Sequence, residues 1–316
     1  MTNGLSLTMD YTKDFFDYKK ISNHIFYYLY KSKSNQIWAG SKEKGLFRIY
    51  NPDSIVIYNK ENSSSKGLLN NNIRMITEDK KGNIWFGTFN GLYKYDVHKD
   101  SFKSYTRENK QGSISNSSVY SVFIDKDNKL WVGTYYGGVN YTDLSQENFM
   151  YVTASDNKNS LSHPVVGNMT EGNDGNIWIC TEGGGLNLYD INNKTIKQFK
   201  SKKYPFYEPH TNLKSIIYDK ENDYLYIGTL FKSLFKFDIA KKKFSNIINI
   251  NTVNNDLKTI NIIEKKGDSL FISTDSNIYL YSLKHNKLRT IHKLTAKKFT
   301  HILIVNNNEL WIDDNG

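Results

Sequence analysis

A short hairpin built around one aromatic residue recurs along the whole chain, and this repetition limits the folds available to it. In the best-preserved copy, GNIWFGTFNGLYKYD at residues 82–96, an apolar run around Trp85 lies between a Gly-Asn turn and an Asn-Gly turn. The anchors lie 47, 46, 47, 48, 45 and 40 residues apart, which indicates stacked units of one kind. The anchor residues are Trp38, Trp85, Trp131, Trp178, Tyr226, Phe271 and Trp311.

Each unit contains four strand-like runs, which in the second unit are residues 73–78, 84–88, 92–95 and 101–106. Four antiparallel strands in a repeat of this length are typical of a β-propeller blade. A β-solenoid and a β-sandwich are alternatives, but neither combines four strands with one aromatic anchor per unit. We therefore predict an all-β fold in which residues 1–316 form one seven-bladed β-propeller of four-stranded antiparallel blades.

The chain ends predict how the ring closes. Residues 1–20 align with the third and fourth strands of a unit, whereas the last residues supply only a first and a second strand, at 300–305 and 310–313. We expect these halves to combine into one blade shared between the N- and C-termini, which would leave no exposed sheet edge. Because the chain starts and stops within a repeat, we also expect it to be a piece of a longer protein.

Three residue types in the unit have predictable structural roles. The anchor aromatics, such as Trp85, should fill the gaps between adjacent blades. Gly87 and Gly133 should lie where a neighbouring blade leaves no room for a Cβ atom. Gly91 and Gly138 should occupy hairpin corners with positive φ.

Composition favours a folded, strand-rich protein and gives little support to a nucleic-acid partner. Aromatic residues make up 14% of the chain, with 23 Tyr and only 4 Pro. The formal charge of +10 comes almost wholly from Lys, in a chain equally rich in Asn, Ile and Tyr, so we attribute it to compositional bias and predict no nucleic-acid binding. The single cysteine, Cys180, excludes an intrachain disulfide and should be a buried strand residue.

No residue pattern predicts a catalytic centre, a metal site or a cofactor. The seven His residues are scattered without metal-ligand spacing, and no phosphate-binding loop or nucleophile elbow is present. The stretch from Asp79 to Trp85 resembles the Asp box of sialidases but lacks its Ser-x-Asp opening. Aspartates that recur at one point of each unit are predicted to cap turns: Asp96, Asp143, Asp190 and Asp238.

The loops of one propeller face vary most between units and hold the candidate ligand-binding residues. Aromatic rings beside amides and carboxylates suit a sugar or a peptide, although such rings can also simply pack the loops onto the ring of blades. The candidates are Arg74, Phe89, Tyr135, Tyr136, His163, Glu182, Tyr207, His210 and Phe231.

The repeat I/L-W-x-G-T-x-x-G-L-x-x-Y-D, preceded by an inner strand and D-x-x-G-N, resembles the two-component regulator propeller repeat. The resemblance extends along essentially the whole chain and weakens from Tyr226 onward. It implies one propeller, the second rather than the first, of an extracytoplasmic sensor in a bacterial hybrid two-component system. It also implies a periplasmic location, a parent histidine kinase or diguanylate cyclase, and an adjoining propeller or immunoglobulin-like domain, with a homodimer as a further assembly.

Three functions remain open on this basis. The first is a non-catalytic sensor that recognises an oligosaccharide ligand, as the resemblance implies. The second is a polysaccharide lyase or glycoside hydrolase on a propeller, for which His163 or His210 beside a Tyr would supply the base. The third is a ring that only binds other proteins.

Overall fold

The computed structural model is an all-β ring of four-stranded antiparallel sheets. It describes residues 4–9, 17–20, 24–51, 53–63, 66–199, 211–230, 233–249, 259–275, 277–293, 302–304 and 309–314, with strands 4–9, 17–20 and 309–314 described by their backbone alone.

Six blades are each folded from one continuous stretch of chain, with the first strand innermost and the fourth outermost. Blades 1, 2 and 3 consist of β3 Phe26–Lys31, β4 Ile37–Ser41, β5 Leu46–Asn51 and β6 Ser54–Tyr58; β7 Ile73–Glu78, β8 Ile84–Thr88, β9 Gly91–Asp96 and β10 Ser101–Tyr105; and β11 Val119–Ile124, β12 Lys129–Thr134, β13 Gly138–Asp143 and β14 Met150–Val152. Blades 4, 5 and 6 consist of β15 Val166–Glu171, β16 Ile177–Thr181, β17 Gly185–Asp190 and β18 Thr195–Phe199; β19 Leu213–Asp219, β20 Tyr224–Thr229, β21 Ser233–Asp238 and β22 Lys243–Asn249; and β23 Ile260–Lys266, β24 Ser269–Thr274, β25 Asn277–Ser282 and β26 Lys287–Lys293. One short helix, α1 Lys60–Ser63, lies in the connection between blades 1 and 2.

A further four-stranded sheet combines the two chain ends. Its order is β2 Asp17–Lys20, β1 Gly4–Met9, β28 Glu309–Asp314 and β27 Ile302–Ile304. β1 pairs antiparallel with β28, and β27 contacts the inner strands of blades 6 and 1.

The predicted fold class of seven like blades therefore needs correction: the described chain contains six continuous blades and one composite sheet. The physical reason is that no single stretch supplies four consecutive strands for the seventh sheet. Its pairing joins the ends as expected, but its packing is described only at Ile302–Ile304.

The anchor aromatics pack between blades, as predicted. Trp38 of blade 1 lies 5.6 Å from the ring of Tyr95 in blade 2, and Trp131 of blade 3 lies 5.4 Å from Tyr189 in blade 4. Trp38, Trp85 and Trp131 are at most 1% exposed. Each ring removes apolar surface of two sheets from water at once, so this contact sets the spacing of the ring.

Two glycine predictions are confirmed. A Cβ atom on Gly87 would lie 2.5 Å from Cγ1 of Val119, the first residue of the next inner strand, so no larger residue fits without displacing blade 3. Gly138 has φ of +75° at the hairpin corner. In blade 4 the position equivalent to Gly87 is Cys180, which is buried as predicted.

In blades 2 and 3, an aspartate in the turn between the first and second strands links that turn to the anchor aromatic. Asp125 accepts hydrogen bonds from the backbone N–H groups of Asp127 and Lys129 at 3.0 and 2.9 Å, and from the indole Nε1–H of Trp131 at 2.8 Å. Asp79 makes the same contacts, including 3.0 Å to the indole of Trp85. The Asp-box-like stretch is therefore a structural turn.

The recurring third-strand aspartates cap turns, as predicted. The carboxylate of Asp96 accepts the N–H groups of His98 and Lys99, at 3.0 and 3.1 Å. The remaining members accept backbone N–H groups in the same way: Asp143, Asp190 and Asp238.

A carboxylate between blades 2 and 3 adds an ionic link. Glu147, in the last loop of blade 3, accepts Lys94 Nζ at 3.0 Å and Tyr105 Oη at 2.6 Å, and it also binds Lys103. Burial opposes its ionisation, but the hydrogen bonds from Lys103, Tyr105 and Lys94 outweigh burial and lower the pKa of Glu147 to about 2.

Replacing Asp125 should show how much the turn-to-indole hydrogen bonds stabilise the ring. We expect Asp125→Ala to lower the free energy of unfolding by about 1–3 kcal/mol, because a buried indole N–H loses its acceptor. Denaturant unfolding measures the change. Asp127→Ala, in the same turn but exposed, is the matched control, and equal losses in both variants would contradict this role.

Stability should also depend on the charge of Glu147. Because the folded-state pKa lies below the ordinary value of 4.5, its contribution is present above pH 4.5 and is lost as the pH falls towards 2. Glu147→Gln should therefore unfold more easily than the parent chain at pH 7 and equally easily near pH 2. Thermal melts of both proteins between pH 2 and pH 7 test this prediction. A difference in melting temperature that does not change with pH would exclude the ionic link.

Candidate functional site

The inner strands of all six continuous blades carry a β-bulge at the same place, directly after their first residue. One extra residue there opposes the second strand of the blade, and such bulges re-aim side chains. The register shifts lie between Phe26 and Tyr28, Ile73 and Met75, Val119 and Ser121, Val166 and Met169, Leu213 and Ser215, and Ile260 and Ile262.

The bulges bring six side chains together in the centre of the ring, where they line a cavity of about 220 Å³. The residues flanking a bulge keep their place in the core; Ile73 and Leu213, for example, are fully buried. Each continuous blade contributes its bulge residue to the lining: Tyr27, Arg74, Tyr120, Asn168, Lys214 and Asn261. The residues that follow three of these bulges, Tyr28, Met75 and Ile262, line the cavity as well.

Arg74 is held by aromatic rings. Its guanidinium carbon lies 3.4 Å from the ring centroid of Phe89, which follows the second strand of the same blade, and 5.0 Å from that of Tyr120 in blade 3. Its hydrogen bond from Nη1 to the carbonyl of Val119 is long, at 3.5 Å. Burial lowers the pKa of Arg74 to about 10, so the side chain remains a cation at neutral pH.

Lys214 and Glu182 form an ion pair across blades 4 and 5. Lys214 Nζ lies 3.1 Å from Glu182 Oε1 and 4.4 Å from the ring centroid of Tyr120. Both side chains are less than 20% exposed. Burial, followed by the charge of Arg74, lowers the pKa of Lys214 to about 8, and burial raises the pKa of Glu182 although Arg74 opposes this.

Two exposed tyrosines follow the second strand of blade 3, and we call this pair, which lies near these charges, the rim. Tyr135 and Tyr136 lie edge to face with ring centroids 4.5 Å apart, and they are 41% and 63% exposed. Tyr136 has a positive φ of +71°. A hydrogen bond to Tyr136 raises the pKa of Tyr135, which also interacts electrostatically with Glu182 and Arg74.

The structure thus brings five of the nine predicted residues into one neighbourhood: Arg74, Phe89, Tyr135, Tyr136 and Glu182. Three others, Tyr207, His210 and Phe231, lie outside the described residues.

His163 has a packing role in its loop. Its Nδ1 accepts the backbone N–H of Val165 at 3.3 Å, and a Cβ atom on Gly183 would lie 2.9 Å from the imidazole ring. Burial lowers the pKa of His163. The ring covers the loop next to Glu182.

Sequence reasoning missed five of the six bulge residues that line the cavity. The signal was present in the repeat as the residue after the first apolar residue of the inner strand, as in IRMITE, VYSVFI and LKSIIYD; in blade 4, VGNMTE, Asn168 comes one residue later. These bulge residues are polar or aromatic and vary between units, whereas the residue that opens each inner strand is apolar. The missed residues are Tyr27, Tyr120, Asn168, Lys214 and Asn261.

The arrangement can donate many hydrogen bonds and offers ring faces, a combination that suits a polar ligand with hydroxyl or acidic groups. Within the described ranges, no three His, Cys, Asp or Glu side chains are grouped so that they could hold a metal ion. In the same part of the chain, no helix has the length and apolarity needed to cross a membrane.

The buried Lys214 should make stability depend on pH. Because its folded-state pKa of about 8 lies below the ordinary 10.5, its charge is unfavourable below pH 8, and this cost disappears as the pH rises towards 10.5. The free energy of unfolding of the parent chain should therefore rise over this range relative to Lys214→Gln. Lys158→Gln, at an exposed site, is the control. A Lys214→Gln curve parallel to that of the parent would contradict the burial of this charge.

The comparisons with known proteins agree with this fold. The model of the two-component regulator propeller family matches residues 67–90 and 113–136, which cover the inner and second strands of blades 2 and 3. No curated protein matches the chain.

Among solved structures, the extracellular domain of the putative hybrid two component system BT3049 from B. thetaiotaomicron is 24% identical, with a TM-score of 0.76 over 93% of this chain and 39% of its own. The corresponding domain of BT4673 from the same organism is 18% identical, with a TM-score of 0.74 over 98% and 43%. PorZ, a surface component of the type-IX secretion system of Porphyromonas gingivalis, is 15% identical, with a TM-score of 0.58 over 82% and 37%.

At these identities the likeness shows a shared fold, and the chain spans about two fifths of the length of each of these structures. The two matched segments confirm the resemblance drawn from the repeats, and the fold is shared with the extracellular domains of these putative hybrid two component systems.

Proposed function

We propose that this chain is a non-catalytic, ligand-recognising propeller from the extracytoplasmic, periplasmic part of a bacterial hybrid two-component sensor, and that it responds to an oligosaccharide. The observation that carries the proposal is the set of six bulges, each of which turns one side chain out of its blade and into a common cavity. Repeated distortion at one place is a feature of binding sites.

The side chains in the cavity suit a sugar. The amides of Asn168 and Asn261 and the hydroxyl of Tyr27 can exchange hydrogen bonds with sugar hydroxyls, and the Tyr120 ring offers a face for C–H groups. Because these groups come from different blades, a ligand there would contact several blades at once.

Such a ligand would signal by favouring one arrangement of neighbouring domains. A ligand shifts an equilibrium only by its difference in affinity for the two states. In the proposed sensor, the states would differ in how this propeller contacts an adjoining propeller, an immunoglobulin-like domain or a second copy of the chain. The exposed rim, with Tyr135 and Tyr136, is where such a difference could arise.

A polysaccharide lyase is the second candidate, because Lys214 combines a pKa of about 8 with a position in the same cavity as Arg74. A lyase needs a base near neutral pH and a cation that neutralises the substrate carboxylate. His163, the base considered from the sequence, already accepts a backbone N–H through Nδ1 and packs over Gly183.

Titration with a panel of neutral and acidic oligosaccharides tests the proposal. We expect at least one member to raise the melting temperature. At a concentration 100 times the Kd, the free energy of unfolding should increase by about 2.7 kcal/mol. Asn168→Ala in the cavity should weaken this effect, and Tyr151→Ala, at an exposed outer strand, should not.

The same samples are assayed for reducing ends and for unsaturated products. Turnover of any glycan would overturn the sensor proposal in favour of an enzyme. In that case, Lys214→Gln should abolish the turnover. A panel without any thermal shift would overturn ligand recognition and favour a ring that only binds proteins.

A further inference from the structure

We infer that the central cavity selects an acidic sugar unit and that Arg74 binds its carboxylate. The inference rests on the proposed function, because it names the class of oligosaccharide that the cavity would take. It is carried by the contacts of Arg74, the distribution of charge around the cavity and the size of the cavity.

Arg74 feels the charge of Glu182 but forms no ion pair with it. No described carboxylate oxygen lies within ion-pair distance of its guanidinium, which contacts two aromatic rings and makes the long hydrogen bond to the carbonyl of Val119. A guanidinium has five N–H donors. A half-buried cation whose donors are mostly unused is costly, and a bound anion would recover that cost.

The other cation of the cavity is already neutralised. Lys214 pairs with Glu182 at 3.1 Å, and the second carboxylate of this region, Asp275, accepts the side-chain N–H of Asn261 at 3.0 Å. The residues that line the cavity include Arg74 and Lys214 but no carboxylate. Within the described lining, Arg74 is therefore the group available to an incoming anion.

The surroundings of Arg74 favour a planar anion. Phe89 and Tyr120 lie against the guanidinium, at 3.4 and 5.0 Å from its carbon to their centroids. Such stacking occupies the faces of the guanidinium and leaves its N–H edge, which matches the two oxygens of a carboxylate.

The size of the cavity limits the ligand to one ring-sized group. Its volume of about 220 Å³ lies below the roughly 300–1,000 Å³ of pockets that enclose drug-sized molecules. One uronic acid unit would fill it, with Asn168 and Asn261 near its hydroxyls. The remaining units would leave past the rim at Tyr135 and Tyr136.

Calorimetric titration with matched ligands tests the inference. Oligosaccharides of galacturonic, glucuronic, mannuronic and guluronic acid are compared with the same oligosaccharides after reduction of their carboxyl groups to alcohols. Sulfated neutral oligosaccharides of equal length form a third arm. We expect one acidic oligosaccharide to bind and its reduced form to bind at least tenfold more weakly. Tighter binding of a sulfated form would overturn the assignment of a carboxylate.

Arg74→Gln should weaken binding of that acidic oligosaccharide about 10- to 100-fold, the range for a hydrogen-bonded charge pair. Its affinity for the carboxyl-reduced form should not change. Arg74→Lys should bind the acidic oligosaccharide more tightly than Arg74→Gln but more weakly than the parent chain, because lysine keeps the positive charge but lacks the forked N–H donors of a guanidinium. Arg107→Gln, at an exposed arginine, is the control, and thermal melts confirm that each variant is folded.

The outcomes separate the inference from the proposed function. Tight binding of neutral or carboxyl-reduced oligosaccharides that Arg74→Gln leaves unchanged would overturn the inference and keep the sensor. Binding of an acidic oligosaccharide with equal affinity in Arg74→Gln would overturn it as well. A parent chain that binds no oligosaccharide of any arm would overturn both.

Discussion

Packing of one large aromatic side chain between neighbouring continuous blades is the contact on which the described part of the ring depends. Trp85 and Trp131 each stack on a tyrosine of their own blade, and the next blade completes their burial, so the sheets are stable together rather than singly. The hydrogen bond that the Trp131 indole donates to Asp125 fixes the orientation of the indole and links it to the turn between the first and second strands of blade 3. Glycines such as Gly87 then let the next inner strand approach closely.

The anchor aromatics hold neighbouring blades together from the second strand of each blade. The first strands can therefore be irregular without loss of the core. Each bulge leaves one residue outside the pairing, while the residue before it, such as Ile73 or Ile260, remains buried. Arg74 and Lys214 are thereby brought near one another although they are 140 residues apart in sequence. Their charges are tolerated because Glu182 and the aromatic rings of Phe89 and Tyr120 surround them.

Most of the fold could be predicted from the sequence because it follows from local, repeated patterns. Four strands per unit, the wedge at Trp85 and the turn caps at Asp96 are each encoded within one repeat. The cavity could be predicted only in part. Arg74 was among the predicted binding residues, but a bulge depends on how two strands pair, so Tyr120 and Lys214 were not expected to join it. His163 was predicted as a loop residue of the variable face, and its ring packs on the loop glycine Gly183.

The repeated bulge also separates what the chain must conserve from what it is free to change. A substitution at one bulge position changes one side chain of the cavity lining. It leaves the adjacent buried residue, the anchor aromatic and the turn between the first and second strands unchanged. With one variable position per continuous blade, selectivity can be altered stepwise around the circle, in nature or by design. Chemical diversity in these positions on an unchanged scaffold would let a common architecture serve many different stimuli.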